Sequence, residues 1–333
     1  MNDRATYSFA PDAARARRLD RDLRVKLAAS LEHVVDKSRG HLKIDDAKLR
    51  DLTAALRGDR RFPPSTFALY YDIVDAILEN RLDDAERCLA SIVKEKPIQQ
   101  PLSIVALDNA TFTPDMVERY GRMMDTDPTT PHVFAAPPPG DVEPCRAILA
   151  KAFDLMRRGC PRTYGEFSEL VDQIVLCAGT NVATNEDFLA GSTFTLWGAL
   201  FINPSVERTV RSLVETLAHE ASHTFLFGLQ VSDGLVLNPD EERFASPLRV
   251  DPRPMDGVYH ATYVSARMHF AMKELLESGL MPAGDVHFIR EAAARDIECF
   301  SEGLKTVKTF GRLSAAGQDI MAAAENYMAA QAA

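Results

Sequence analysis

The amino-acid sequence predicts an α-dominated α+β protein: a zincin-like HExxH helix beside a small sheet, with helical regions at the N-terminal and C-terminal ends. Three observations predict it. Apolar residues recur at helical spacing over both ends of the chain, and short β-branched runs cluster in its middle. The pattern His219-Glu220-Ala-Ser-His223 stands in a segment of helical period just after the last of those runs.

Residues 12–96 read as about four packed helices, with Leu49, Leu52 and Leu56, then Phe67, Tyr70, Tyr71, Val74, Ile77 and Leu78, marking buried faces. Pro63 and Pro64 end one helix and open the next, and Asp83 is placed to N-cap the fourth. Arg15, Arg17, Arg18, Arg21 and Arg24 are interleaved with Asp20 and Asp22, which reads as a solvated face. Residues 102–107 (LSIVAL) suggest a short buried strand, followed by a helix over 114–124. Prolines are so dense over 126–144 that regular structure cannot run through the whole stretch. The expected organisation is a helical N-terminal region (1–125), a Pro-rich surface connection (126–144) and a metal-binding catalytic domain (145–333). In the last, residues 145–158 are helical, 171–177 (VDQIVLC) form a strand, and 193–203 (TFTLWGALFIN) form one or two strands bent at Gly198. A helix over 205–227, an irregular stretch to 256 and three further helices complete the chain.

The 333 residues are 46% hydrophobic, enough to fill real cores, and carry a formal net charge of -10. That charge repels nucleic acid and anionic membrane, so neither is expected as a partner. Five scattered cysteines without a C-x-x-C pair indicate neither a disulfide framework nor a thiolate zinc site. The N-terminus has no apolar signal region, and nowhere do roughly 18 apolar residues run together. The expectation is a cytoplasmic protein.

A helical spacing of i and i+4 puts His219 and His223 on one face, about 6 Å apart at Cβ, where both imidazoles can address one ion. Glu220 stands where zincins place the residue that polarises a metal-bound water. One helix supplies two ligands only, so a third must come from elsewhere. Leu226 and Leu229 occupy the positions where a metzincin has glycine and histidine, which excludes that continuation. His260, at the start of the next helix, is one candidate; Glu241, Glu242, Glu291, Glu298 and Glu302 are others. His269 and His287 suit hydrogen-bonded or solvated roles, and His33, His41 and His132 structural ones. Glu215, one turn before His219, either supports an imidazole or faces solvent.

Between the two candidate helices, residues 246–260 (SPLRVDPRPMDGVYH) hold Arg249 and Arg253 in a loop stiffened by three prolines. Such guanidiniums suit bidentate capture of a carboxylate; alternatively they pair with Asp251, Asp256 or Glu241 and pin the loop.

Residues 213–223 (LVETLAHEASH) together with 246–260 resemble a family of HExxH proteins encoded beside ribosomally made peptides, often with radical-SAM peptide maturases, and described as 2-oxoglutarate-dependent peptide β-hydroxylases. The resemblance is specific over about 193–272 and weak over the N-terminal helices. It implies Fe(II) held by His219, His223 and His260, 2-oxoglutarate as cosubstrate with a loop arginine on its distal carboxylate, and hydroxylation at a side-chain Cβ of a precursor peptide, with other peptide-maturation enzymes as further partners. Three histidines depart from the commoner set of two histidines and one carboxylate. Glu220 would then orient a ligand or bind the metal itself. The alternative is a zinc metallopeptidase with Glu220 as general base; a non-catalytic peptide-binding protein that keeps the helix is a third expectation.

Overall fold

The computed structural model describes residues 7–126, 130–206, 208–231, 234–249 and 251–331. Among these are eleven α-helices and six short strands, an α-dominated α+β chain. No helix among the described residues is long and apolar enough to cross a membrane. Two compact units can be told apart, and both are assembled from separated stretches. One joins Met1–Ala16, Ala147–Phe167 and Arg208–Ala333; the other joins Arg17–Arg146 and Ser168–Glu207. The units follow packing rather than chain order, and residues 145–333 contribute to both.

The four expected helices are α1 (Ala13–Lys37), whose first residues up to Ala16 belong to the first unit, and, in the second unit with the rest of α1, α2 (Asp46–Leu56), α3 (Pro64–Leu78) and α4 (Leu82–Ile92). Pro64 opens α3, where its missing N–H is no loss. Asp83 does not cap α4 as expected: Arg81 holds the cap position, and Asp83 lies inside the first turn, where its charge suits the helix dipole. The arginine run is not uniformly solvated either. Arg17, Arg18 and Arg21 are exposed, but Arg24 is buried, donating to Asp20 Oδ2 at 2.9 Å and to the carbonyls of Leu56 and Gly58. Trp197 Nε1 donates to the other Asp20 oxygen at 3.0 Å, so that buried carboxylate is fully used.

The helix α5 (Pro114–Met124) forms as expected. Strands β1 (Ser103–Ala106), β3 (Gln173–Leu176) and β6 (Ala199–Ile202) are parallel, with β5 (Ala190–Gly191) antiparallel on the β6 edge, in the order β1-β3-β6-β5. Ile174 to Leu176 and Ala199 to Ile202 are buried without alternation, as parallel strands covered on both faces require. A separate antiparallel pair joins β2 (His132–Ala135) to β4 (Ala178–Asn181). The Pro-rich stretch thus contains a strand, and from Pro139 it opens α6 (Pro139–Gly159). The first half of the expected strand over 193–203 is a 3-10 turn, Phe194–Leu196. Gly198, at φ 88°, turns the chain into β6. A Cβ there would lie 2.9 Å from Asp172 Oδ2. Burial pushes the Asp172 carboxyl up to about 7 despite Arg61 beside it.

The first unit is built around α8 (Val210–Gln230), α9 (Met255–Glu277), α10 (Val286–Phe310) and α11 (Ala315–Ala329). Thr209 caps α8: its side chain accepts from Ser212 N, and the Ser212 hydroxyl accepts from Thr209 N. α9 is buried on nearly every side, so its hydroxyls turn to its own backbone, Thr262 Oγ1 to Val258 O at 2.7 Å and Ser265 Oγ to Ala261 O at 2.9 Å. Gly303 lets α10 approach, since a Cβ there would run into Thr262. Arg267 of α9 and Arg15 both reach Glu166 on α7 (Pro161–Leu170), all three at most 3% exposed. Both guanidiniums lie over the ring of Phe225 on α8, at 4.5 and 5.3 Å. Arg15 therefore leaves the predicted solvated face altogether.

Gly198→Ala should lower stability by about 2–3 kcal/mol, from left-handed backbone strain plus the Asp172 contact. Gly140→Ala, with nothing within 4 Å of its added Cβ and a helical position in α6, should be neutral or stabilising by up to about 1 kcal/mol. Thermal unfolding of the two variants beside the parent checks the sign and the contrast.

Candidate metal centre

Helix α8 presents His219 and His223 one turn apart, and α9 brings His260 against them from the other side. Nε2 of His223 lies 3.1 Å from Nε2 of His219, and Nδ1 of His223 lies 3.0 Å from Nδ1 of His260. The His223 and His260 rings are near parallel, with centroids 5.3 Å apart; His219 stands edge-on to His223 at 4.8 Å. An N···N separation of about 3 Å is the edge of an octahedron with ligand bonds of about 2.1 Å, so the His219 and His223 Nε2 atoms suit one divalent cation. The third nitrogen meets the opposite edge of the His223 ring. Among the described residues no group of three or more His, Cys, Asp or Glu side chains is gathered as a metal-binding set. The three expected imidazoles are thus brought together, and His260 must turn or shift before all three can address one point.

Residues outside the motif complete the surroundings. Gln230, on the same face of α8 seven residues after His223, places Nε2 at 2.9 Å from Asp256 Oδ1 and 3.1 Å from His260 Nε2. Met268 Sδ lies 3.1 Å from His219 Nδ1. Phe227 flanks His260, ring to ring at 5.2 Å. Helical period counted beyond the motif would have found Gln230; nothing in the sequence singles out Met268. Glu220 is buried, with Oε1 3.9 Å from His219 Nε2, outside hydrogen-bond reach of that nitrogen.

Burial lowers the basicity of all three rings. His219 drops to about 4. His223 falls well below the usual histidine range through burial and through its two imidazole neighbours, and His260 is lowered by burial against the opposing pull of Asp256. At neutral pH the rings are uncharged, the form in which imidazole is a ligand. The Glu215 carboxylate lies 3.8 Å from Arg295, and burial holds its pKa up.

The arginine loop is pinned. Phe244 and Arg253 exchange backbone hydrogen bonds of 2.8 and 2.9 Å, and Phe244 stacks on Phe310. Arg249 Nε and Arg253 Nη1 each donate to one oxygen of Asp251, both at 3.1 Å. Burial acts against the Asp251 carboxylate, but the Arg249 bond and the two positive charges outweigh it and hold the group below the usual range. Of the two expectations for these arginines, pinning is the one realised, with Asp251 as the shared partner. Arg253 stands beside the first turn of α9, its Cβ 3.4 Å from where a Cβ on Gly257 would lie. Of the competing candidates, Glu242 pairs with Arg312 at 2.8 Å. His269 is hydrogen-bonded to Tyr327 at 2.9 Å, as expected.

The depressed pKa values give a pH dependence with a definite sign. Between about 4 and 6.5 the unfolded chain takes up protons that the folded His219 refuses, so stability must fall as pH falls through that window. Chelator-treated protein should lose on the order of 3 kcal/mol from His219 alone between pH 7 and pH 4, and His219→Gln should remove that part of the slope. Denaturant titrations at the two pH values check it; equal slopes in parent and variant would contradict it.

No known protein family matches the chain and no curated protein is significantly similar to it, so the functional reading rests on these residues.

Proposed function

We propose that the chain is an Fe(II)- and 2-oxoglutarate-dependent hydroxylase acting on the side-chain Cβ of a ribosomally made precursor peptide. One observation carries the reading: the side chain that comes up against the HExxH pair from a second helix is an imidazole, His260, 3.0 Å from His223, and not a carboxylate. A neutral three-histidine set leaves the full charge of a divalent ion available to an anionic chelating cosubstrate. His219 and His223 would hold the metal through Nε2, and His260 would join them after its ring turns. When bound, iron would supply oxygen activation coupled to decarboxylation of the cosubstrate. The chain's own residues do the rest. Burial keeps the imidazoles neutral, Phe227 walls off one side, and Glu220 sits where it can orient a ligand. Arg249 and Arg253 offer the guanidiniums for a distal carboxylate, and to receive one they must release Asp251. The zincin-like placement of the motif helix is part of the same reading, supported by the order β6 then α8 along the chain.

The second reading is a zinc metallopeptidase, which the buried Glu220 carboxylate 3.9 Å from His219 Nε2 favours. Peptide substrates, other maturation enzymes as partners and a cytoplasmic setting belong to the proposal as well.

Anaerobic loading with Fe(II), followed by 2-oxoglutarate and oxygen, should yield succinate even without a peptide, and with the cognate peptide a product heavier by one oxygen. His219→Ala and His223→Ala should reduce succinate formation to background. Arg249→Ala with Arg253→Ala should raise the KM for 2-oxoglutarate by about tenfold or more, the loss of a charge-assisted pair. Zinc-dependent cleavage without succinate would establish the peptidase instead.

A further inference from the structure

We propose that the second unit carries a binding site of its own: a cavity between α3, α4 and α5 that takes the carboxyl end of a short basic peptide, with Arg119 as the anchor. The cavity measures about 870 Å³, which is within the range of ligand pockets and leaves room for a few residues of peptide. Leu69 of α3, Cys88 of α4 and Met116 of α5 give it an apolar floor, the first two buried.

Arg119 stands at that floor with part of its fork unused. Its Nε donates to Asp72 Oδ2 at 2.5 Å, and the other oxygen of Asp72 accepts from Arg122 Nη2 at 2.6 Å, so one carboxylate serves two guanidiniums. The Arg119 and Asp72 side chains are only 13% and 11% exposed, and water screens them little. The two terminal nitrogens of Arg119 meet sulfur and not oxygen: Nη1 lies 3.8 Å from Met116 Sδ and Nη2 3.8 Å from Cys88 Sγ, both weak acceptors. Glu95, the other carboxyl near the floor, is turned to the hydroxyls of Ser65 and Thr66 at 3.1 and 3.3 Å, and burial pushes it up. A guanidinium held from behind, with two N–H groups facing an open cavity, is the arrangement that takes a carboxylate by both oxygens.

The rim has the opposite sign. Asp75 of α3 and Asp115 and Glu118 of α5 line it, exposed and in no ion pair among the described residues, and Lys94 offsets only one of them. Glu79, Arg81, Asp84 and Arg87, also in the lining, pair with one another. A ligand with a carboxylate at its tip, an apolar side chain beside it and cationic side chains behind matches floor and rim together, whereas a plain anion would meet the rim with like charge.

The test is calorimetric titration of the full chain at low salt and pH 7.5 with the tripeptide Lys-Lys-Leu, after chelator treatment so that the HExxH helix plays no part. Lys-Lys-Leu should bind, its C-terminal amide at least about tenfold more weakly, and Ala-Ala-Leu about threefold more weakly. Arg119→Gln, which leaves Asp72 paired with Arg122, should bring the free acid down to the affinity of the amide. Asp115→Asn with Glu118→Gln, both at exposed positions, should abolish the preference for lysine and leave Ala-Ala-Leu binding as it was, which keeps the test available if the Arg119 variant does not fold. Equal affinity for acid and amide, binding that neither variant alters, or no binding of any of the three peptides overturns the proposal.

Discussion

One buried carboxylate holds together the unit that carries the three imidazoles. Glu166 takes a guanidinium from Arg15 and another from Arg267, while Asp12 N donates to it at 3.0 Å. Two buried cations on one anion would be costly by themselves, and backbone carbonyls take part of the remaining donors: Arg267 Nη1 reaches Phe9 O at 2.6 Å and Arg15 Nη2 reaches Ala10 O at 2.9 Å, while Arg15 Nε is buried without a hydrogen-bond partner. Phe225 lies beneath both guanidiniums, two residues after His223, and Arg267 follows His260 by two turns of α9. The same clamp that ties the start of the chain to α7 and α9 thus fixes the level at which α8 meets α9. Removing one partner of such a network typically costs about 3–5 kcal/mol, because the others remain buried with charge unmatched.

Local geometry at the candidate centre depends on that crossing. Imidazoles bind metal only when neutral, and burial supplies neutrality here without any nearby cation. Two carboxylates stay just outside hydrogen-bond reach of the rings, Asp256 Oδ2 at 3.9 Å from His260 Nε2 and Glu220 Oε1 at 3.9 Å from His219 Nε2. Such an arrangement separates ligand positioning from ligand charge. It suits a centre whose anionic partner comes from outside the chain.

Long periodic segments were the most legible part of the fold. All four N-terminal helices, α5 and the helices after residue 205 follow from apolar spacing, because each buries an apolar face, which in α9 widens to nearly the whole helix. Short pieces were not. β5 has two residues, and β4 (AGTN) carries no β-branched run, so nothing local marks either; each is set by the strand it pairs with, β6 for β5 and the sequence-distant β2 for β4. The strand expected across Thr193 failed because a left-handed glycine, not propensity, decides where β6 begins. Arg15 and Arg24 looked solvated because charge alternation is the same on paper whether or not a buried carboxylate waits elsewhere. At the candidate site the HExxH spacing found two rings and the position of His260 offered the third. The ring orientations, Gln230 and Met268 come from helix crossing and could not be read from order along the chain.

The most direct measurement of the central claim is X-ray absorption of the Fe(II)-loaded protein at the iron edge, comparing the parent with His260→Ala. Three imidazoles at bond lengths of about 2.1–2.2 Å in the parent, falling to two in the variant, are the predicted result. An iron environment with two histidines or fewer in the parent, unchanged when His260 is removed, would contradict the account.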